Sequence, residues 1–398
     1  MPLADLHLLA LLSPHRKHPV LRAVAGAFGA AWLALALGLG AAPAHTAQAA
    51  NPSHSGKSRR DAGTPYGDSA RVRALAQTLA QSHELPPAWV RRQLQQARFL
   101  PGVPKLVLPP AVPTAKNWRA YRERFIEPQR IEAGTAFWQR HREALTRAEQ
   151  QYGVPAELVV GIVGVETFYG QHMGNHRVLD TLTTLTLDFP AAHPRATERQ
   201  LFFQNELGQF LRLVRQQSLA IDTVRGSFAG AMGWPQFMPS SVNRFAVDFD
   251  GDGHIDLRQS PVDAIGSVAH YLRAFGWQPG MPTHYPVRFD ESRLDKATLL
   301  APDILPTFSV TAFQDKGALL DGDALRHSGP LALVELFNGD APPSYVAGTD
   351  NFYVVTRYNW SSYYALAVIE LGQAIKARMQ AAAPAPTAHA RSPAGRGD

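Results

Sequence analysis

From Ser69 to about Ala220 apolar residues recur at intervals of three and four, as in RVRALAQTLAQSHELPPAWVRRQLQQA, and strand-like alternation is scarce. This spacing predicts a mostly helical region. Between Pro282 and Gly348 the texture changes. The short apolar runs HYPVRF, TFSVTAF and LALVELF are separated by Asp, Gly and Pro, which predicts short strands and turns. NFYVVTRYN reads as one more strand or extended segment, after which SSYYALAVIELGQAIKARM returns to a helical period. The expected fold is α+β and mainly helical, with a small β-rich insertion and no internal repeat.

Basic residues of His15-Arg16-Lys17-His18 and Arg22 precede an uncharged run from Ala23 to Ala42, and Ala47-Gln48-Ala49 then offers small residues around a cleavage point. Residues 1–49 therefore read as an export signal cut near Ala49. The run is also long enough to span a bilayer if uncut, and membrane contact is expected only through such a retained segment. Residues 50–68 read as a linker, 69–281 as the main helical region, 282–348 as the insertion, 349–380 as a return to the helical core, and 381–398 as a disordered Ala/Pro-rich tail. Cysteine is absent, which excludes disulfides, thiolate chemistry and a lipid anchor on cysteine. The net charge of +6 is spread along the chain rather than gathered into a patch, so nucleic acid is not an expected partner.

VVGIVGVETFYGQHMG, Val159 to Gly174, is a helical segment with Pro155 suited to its start and Gly170 to its end. It is apolar on nearly every side, and Glu166 falls in the last turn. Burial and the negative helix end both disfavour the ionised carboxylate there, and a carboxylic acid held protonated near neutral pH is what a general acid requires. The plain alternative is a buried Glu held by an Arg or by backbone amides. Glycoside cleavage usually takes two carboxylates. Asp180, Asp188 and Asp222 are nearby in sequence, but spacing nominates none of them, so a single carboxylate would have to serve as acid and then base. Gly161 and Gly164 favour close helix packing.

DFDGDGHIDL sets Asp248, Asp250 and Asp252 at alternate positions, followed by Gly253 for a sharp turn and His254 where a calcium loop offers a backbone carbonyl. The final liganding position falls on Gln259, so the pattern is incomplete. Asp263, at the start of the next helix, could close a longer loop over the ion, and Asp256 could add a direct or water-mediated ligand. Oxygen ligands favour structural Ca²⁺; the alternative is a solvated Asp/Gly turn.

Four motifs, GVPAELVVGIVGVETFYG, GSFAGAMGWPQFMPSS, VDFDGDGHIDLRQSPVDAIGSVAHYL and VVTRYNWSSYYALAV, resemble the bacterial membrane-bound lytic murein transglycosylase B family, glycoside hydrolase family 103. The similarity runs in order from about Arg71 to Met379. It implies a lysozyme-like catalytic core with a helical domain and a small inserted β domain. The implied activity is non-hydrolytic cleavage of the β-1,4 bond between N-acetylmuramic acid and N-acetylglucosamine in peptidoglycan, leaving a 1,6-anhydromuramic end. No cofactor is implied for the chemistry. The location implied is periplasmic, with glycan strands as substrate and cell-envelope proteins as candidate partners.

By the same resemblance the catalytic Glu falls on Glu166, and substrate contacts on Tyr121, Ser227, Gln236, Phe237, Tyr271, Tyr358, Asn359 and Tyr364. Aromatic faces suit sugar rings, and amides and hydroxyls suit their substituents; Phe237, Tyr271 and Tyr364 would serve equally as core aromatics. The sequence departs from the family where paired arginines are expected after Phe189-Pro190 and Ala191-Ala192 stand instead, with Arg195 the nearest substitute. Trp234-Pro235 replaces smaller or aromatic residues, and the metal loop is one residue longer. Two rivals stay open: a hydrolytic muramidase with a second carboxylate across the cleft, and a non-catalytic peptidoglycan-binding scaffold.

Overall fold

The computed structural model describes residues 63–109 and 116–381. The segment read as an export signal, most of that read as a linker and nearly all of that read as a C-terminal tail lie outside these residues. No helix among the described residues is long and apolar enough to cross a membrane.

Fifteen α-helices and a few short strands make up the described chain. One contiguous apolar core runs from Val72 to Ile375 and gathers the inward stripes of nearly all the long helices. Within it the Ala156–Thr167 helix is buried on almost every side. It packs along the Ser362–Ala381 helix because glycines permit close approach. A β-carbon on Gly161 would stand 2.3 Å from the Val368 carbonyl oxygen, and one on Gly372 would stand 2.2 Å from that of Glu157. The two helices thus approach backbone to backbone, which brings the starts and ends of distant segments together.

Residues 282–348 carry a second, smaller core that includes Tyr285, Leu299, Phe313 and Leu331. Its antiparallel sheet orders His284–Pro286, Ala341–Gly348 and Ala332–Asn338, with Val334 opposite Val346. The alternation along the edge strand Ala332–Asn338 explains its position. Ala332, Val334 and Leu336 join the main core, whereas Leu333 joins the smaller one. That strand is therefore a wall between the two.

Two segments differ from the sequence expectation. NFYVVTRYN forms a helix, Asp350–Asn359, not a strand. Its β-branched and aromatic content favours strands only weakly. The Thr349 side chain caps the first turn by accepting from the Asn351 amide, and Asn351 in turn donates to the Gln278 and Met281 carbonyls. In TFSVTAF only Phe308 makes an isolated bridge, to Leu331; Ser309 caps a short helix, Val310–Asp315.

Candidate active site

The Ala156–Thr167 helix ends abruptly. Phe168 and Tyr169 both take left-handed backbone conformations, φ +49° and +54°, each costing about 1–3 kcal/mol for a non-glycine residue. Thr167 holds this turn: its Oγ1 accepts from the Gly170 amide and donates toward the Trp234 carbonyl. The turn sends the chain away at the mouth of a cavity of about 690 Å³, with Glu166 in its wall.

Glu166 is only partly buried, because one side faces the cavity while protein surrounds the rest. Its Oε1 accepts a 2.6 Å hydrogen bond from the Tyr364 hydroxyl. Burial pushes its carboxyl up from 4.5 to about 7, and the Tyr364 bond pulls in the opposite direction. Burial holds the hydroxyls of Tyr121, Tyr271, Tyr358 and Tyr364 well above the usual phenol range, and the Glu166 charge adds to this. These tyrosines are therefore neutral donors around one titratable acid.

All the expected sugar contacts line this cavity: Tyr121, Ser227, Gln236, Phe237, Tyr271, Tyr358, Asn359 and Tyr364. Several also serve the core, as their aromatic character predicts; Phe237 and Tyr364 are 2% and 1% exposed. Tyr358 and Tyr364 stack at 6.1 Å with an interplanar angle of 13°, and Tyr358 donates to the Pro235 carbonyl at 2.6 Å. Gln236, at φ +49°, donates to the Gly233 and Met173 carbonyls. Ser227 Oγ accepts from the amides of Ala229 and Ala231. The buried Oδ1 of Asn359 has no hydrogen-bond partner. An acceptor so placed in a cavity wall suits a donor on a bound molecule.

Among the described lining residues Glu166 is the sole carboxylate. Asp180 accepts from the Arg98 amide and lies 3.3 Å from Arg177 Nη1, Asp188 is held by Tyr66 and Arg71, and Asp222 does not reach the cavity. Arg195 lies 3.6 Å from Glu198 and also stays outside it.

Sequence reading missed Arg130, His172 and Arg258, which line the cavity too. Arg130 donates to the Gly164 carbonyl at 2.6 Å and sits over the Phe168 ring at 4.5 Å. It lies on an ordinary amphipathic helix, Pro128–Arg140, where no local pattern singles it out.

In the acidic loop, carboxylate oxygens of Asp248, Asp250 and Asp252 lie within 4.8 Å of one another. The side chains of His254 and Asp263 do not belong to that group. Asp263 is 1% exposed and instead ties the loop: it accepts from the amides of Phe249 and Asp256, both at 2.8 Å. Farther along the same loop the Leu257 carbonyl accepts from the Trp234 amide and the Arg258 carbonyl from the Trp234 indole, so the loop braces the cavity wall.

Residues 67–373 match a sequence family described as Transglycosylase SLT domain. The chain is 37% identical over 341 residues to the Membrane-bound lytic murein transglycosylase B of Escherichia coli (strain K12), covering 80% of this chain and 86% of that one. The chain belongs to this family of lytic transglycosylases. The fold agrees with solved structures of the family. The Escherichia coli lytic transglycosylase Slt35 in complex with calcium superposes at TM-score 0.67 and 35% identity, covering 80% of this chain and 97% of that one. SltB3 from Pseudomonas aeruginosa in complex with NAG-anhNAM-pentapeptide superposes at TM-score 0.64 and 29% identity, covering 77% and 79%. The lysozyme-like, helix-rich architecture of the transglycosylase is thus that of its relatives.

Proposed function

We propose that this transglycosylase cleaves the β-1,4 bond between N-acetylmuramic acid and N-acetylglucosamine in peptidoglycan without water, and that Glu166 alone supplies the acid and base. The observation that carries this reading is the single, partly buried carboxylate in a cavity otherwise lined by neutral and cationic groups. Held at about 7, Glu166 carries a proton in neutral and mildly acidic solution and delivers it to the glycosidic oxygen as the bond to C1 breaks. The muramic C6 hydroxyl then attacks C1, and its proton passes to the Glu166 carboxylate, which restores the acid. The neighbouring acetamido group shields the positive charge developing at C1. The product is a 1,6-anhydromuramic end.

A hydrolytic muramidase would need a second carboxylate about 5–9.5 Å from the first, and the described lining residues supply none. Tyr364 orients Glu166 from one side, and the stacked Tyr358 extends the aromatic wall against which a sugar ring packs. SltB3, the relative solved with NAG-anhNAM-pentapeptide, supports a glycan product of this kind.

We also infer that Asp248, Asp250 and Asp252 hold a structural Ca²⁺, consistent with the calcium complex of Slt35. The ion would neutralise three clustered carboxylates and stiffen the loop that braces Trp234. Export to the periplasm follows from the N-terminal pattern. The direct test is release of soluble muropeptides from purified peptidoglycan by the full chain and by Glu166→Gln. The variant should bind peptidoglycan and release nothing; turnover by the variant overturns the assignment.

A further inference from the structure

A second cavity of about 250 Å³ lies on the other side of the Ser362–Ala381 helix start from the catalytic cleft. Ser361 lines both. Beyond it the chain alternates, with Tyr363 facing the second cavity and Tyr364 facing Glu166. The wall strand Ala332–Asn338 forms the opposite side, contributing Glu335 and the 43%-exposed Phe337.

The lining carries both signs of charge: Glu335 and Asp303 on one hand, Lys116 on the other. Glu335 is positioned by a 2.5 Å hydrogen bond from the Tyr345 hydroxyl. Asp303 and Trp360, also in the lining, take left-handed backbone conformations, φ +55° and +42°. Nothing in the catalytic scheme uses any of these side chains.

Resting on the peptidoglycan reading above, we propose that this cavity is a stem-peptide subsite for the zwitterionic α-amino-acid end of a diamino acid. Its ammonium would lie against Glu335 and Asp303, and its carboxylate against Lys116. The size suits one residue rather than a whole peptide, being below the roughly 300–1,000 Å³ of sites for larger ligands. Ser361, which lines both cavities, marks where a peptide leaving a muramic unit in the cleft would enter the second one.

The test uses the full chain and an Asp303→Asn/Glu335→Gln double variant. Asn tolerates the left-handed conformation, and Gln keeps an acceptor for Tyr345. KM and kcat are measured on peptide-bearing glycan and on glycan stripped of peptide, and the free diamino acid meso-diaminopimelate is titrated by calorimetry. The expected result is a KM about tenfold higher for the variant on peptide-bearing glycan, the equivalent of one lost charge-assisted hydrogen bond. Its kcat and its activity on stripped glycan should be unchanged, and the diamino acid should bind only the wild type. Equal effects on both substrates, no effect on either, or equal binding of the diamino acid by both proteins overturns the subsite. Wild-type inactivity on both glycans would instead count against the peptidoglycan reading, and the calorimetric titration would still decide the subsite.

Discussion

Replacing Glu166 by Gln should abolish turnover and also stabilise the fold, increasingly as pH rises above 4.5. Burial raises the Glu166 carboxyl from 4.5 to about 7. The folded state therefore holds its proton over a window in which the unfolded chain has already released it. Stability falls as pH rises through that window, because the native protein binds more protons there than the unfolded one. About two and a half pH units, at about 1.4 kcal/mol each, correspond to about 3.5 kcal/mol lost by pH 8 and almost nothing lost at pH 4 and below. Glutamine has no charge to bury, and its carbonyl oxygen can still accept the Tyr364 hydroxyl. The variant should match the wild type near pH 4 and exceed it near pH 8 by about 7 °C in Tm, taking about 2 °C per kcal/mol for a chain of this size. Thermal melts of both proteins at the two pH values provide the assay. An identical Tm difference at both would refute the claim that burial keeps Glu166 protonated.

Further outcomes follow from the same geometry. Tyr364→Phe removes the one hydrogen bond that favours the ionised carboxylate, so the alkaline limb of the pH–rate profile, expected near pH 7 in the wild type, should move upward. A limb that stays put would mean Tyr364 does not couple to Glu166. Gly161→Ala places a methyl group 2.3 Å from the Val368 carbonyl, which should cost about 1–3 kcal/mol in denaturant unfolding, in line with overpacking elsewhere; a neutral result would show that the two helices can separate freely. Calcium should raise the Tm of the wild type, and Asp248→Ala should erase that rise while sparing most of the activity. A calcium-dependent rise that survives in Asp248→Ala would remove the ion from this loop.

Much of the site was legible in the sequence because its parts are local. The VET turn, the Gly-rich AGAMGWPQF segment and the Asp/Gly loop each carry their chemistry within a few residues. The isolated Glu in an apolar helix announced its own desolvation. What local pattern could not supply was the pairing of distant elements. Tyr364 reaches Glu166 because glycines at 161 and 372 let two helices touch, and only the resemblance placed it in the site. Arg130 enters the cavity through tertiary packing of an unremarkable helix face. Asp350–Asn359 misled because Val354, Val355 and two tyrosines read as strand; the Thr349 cap is local, but the clamp through Asn351 reaches the Gln278 carbonyl, 73 positions away. Spacing offers Asp263 as a further ligand that could close the loop, but not the ties it makes by accepting from the Phe249 and Asp256 amides.

The most direct test of the single-carboxylate mechanism is mass spectrometry of the soluble products formed from peptidoglycan in ¹⁸O-labelled water. Intramolecular attack predicts muropeptides lighter by one water than hydrolysis products, with no ¹⁸O at the muramic C1, and none at all from Glu166→Gln. Reducing-end products carrying ¹⁸O would contradict it, since water rather than the C6 hydroxyl would then be the nucleophile.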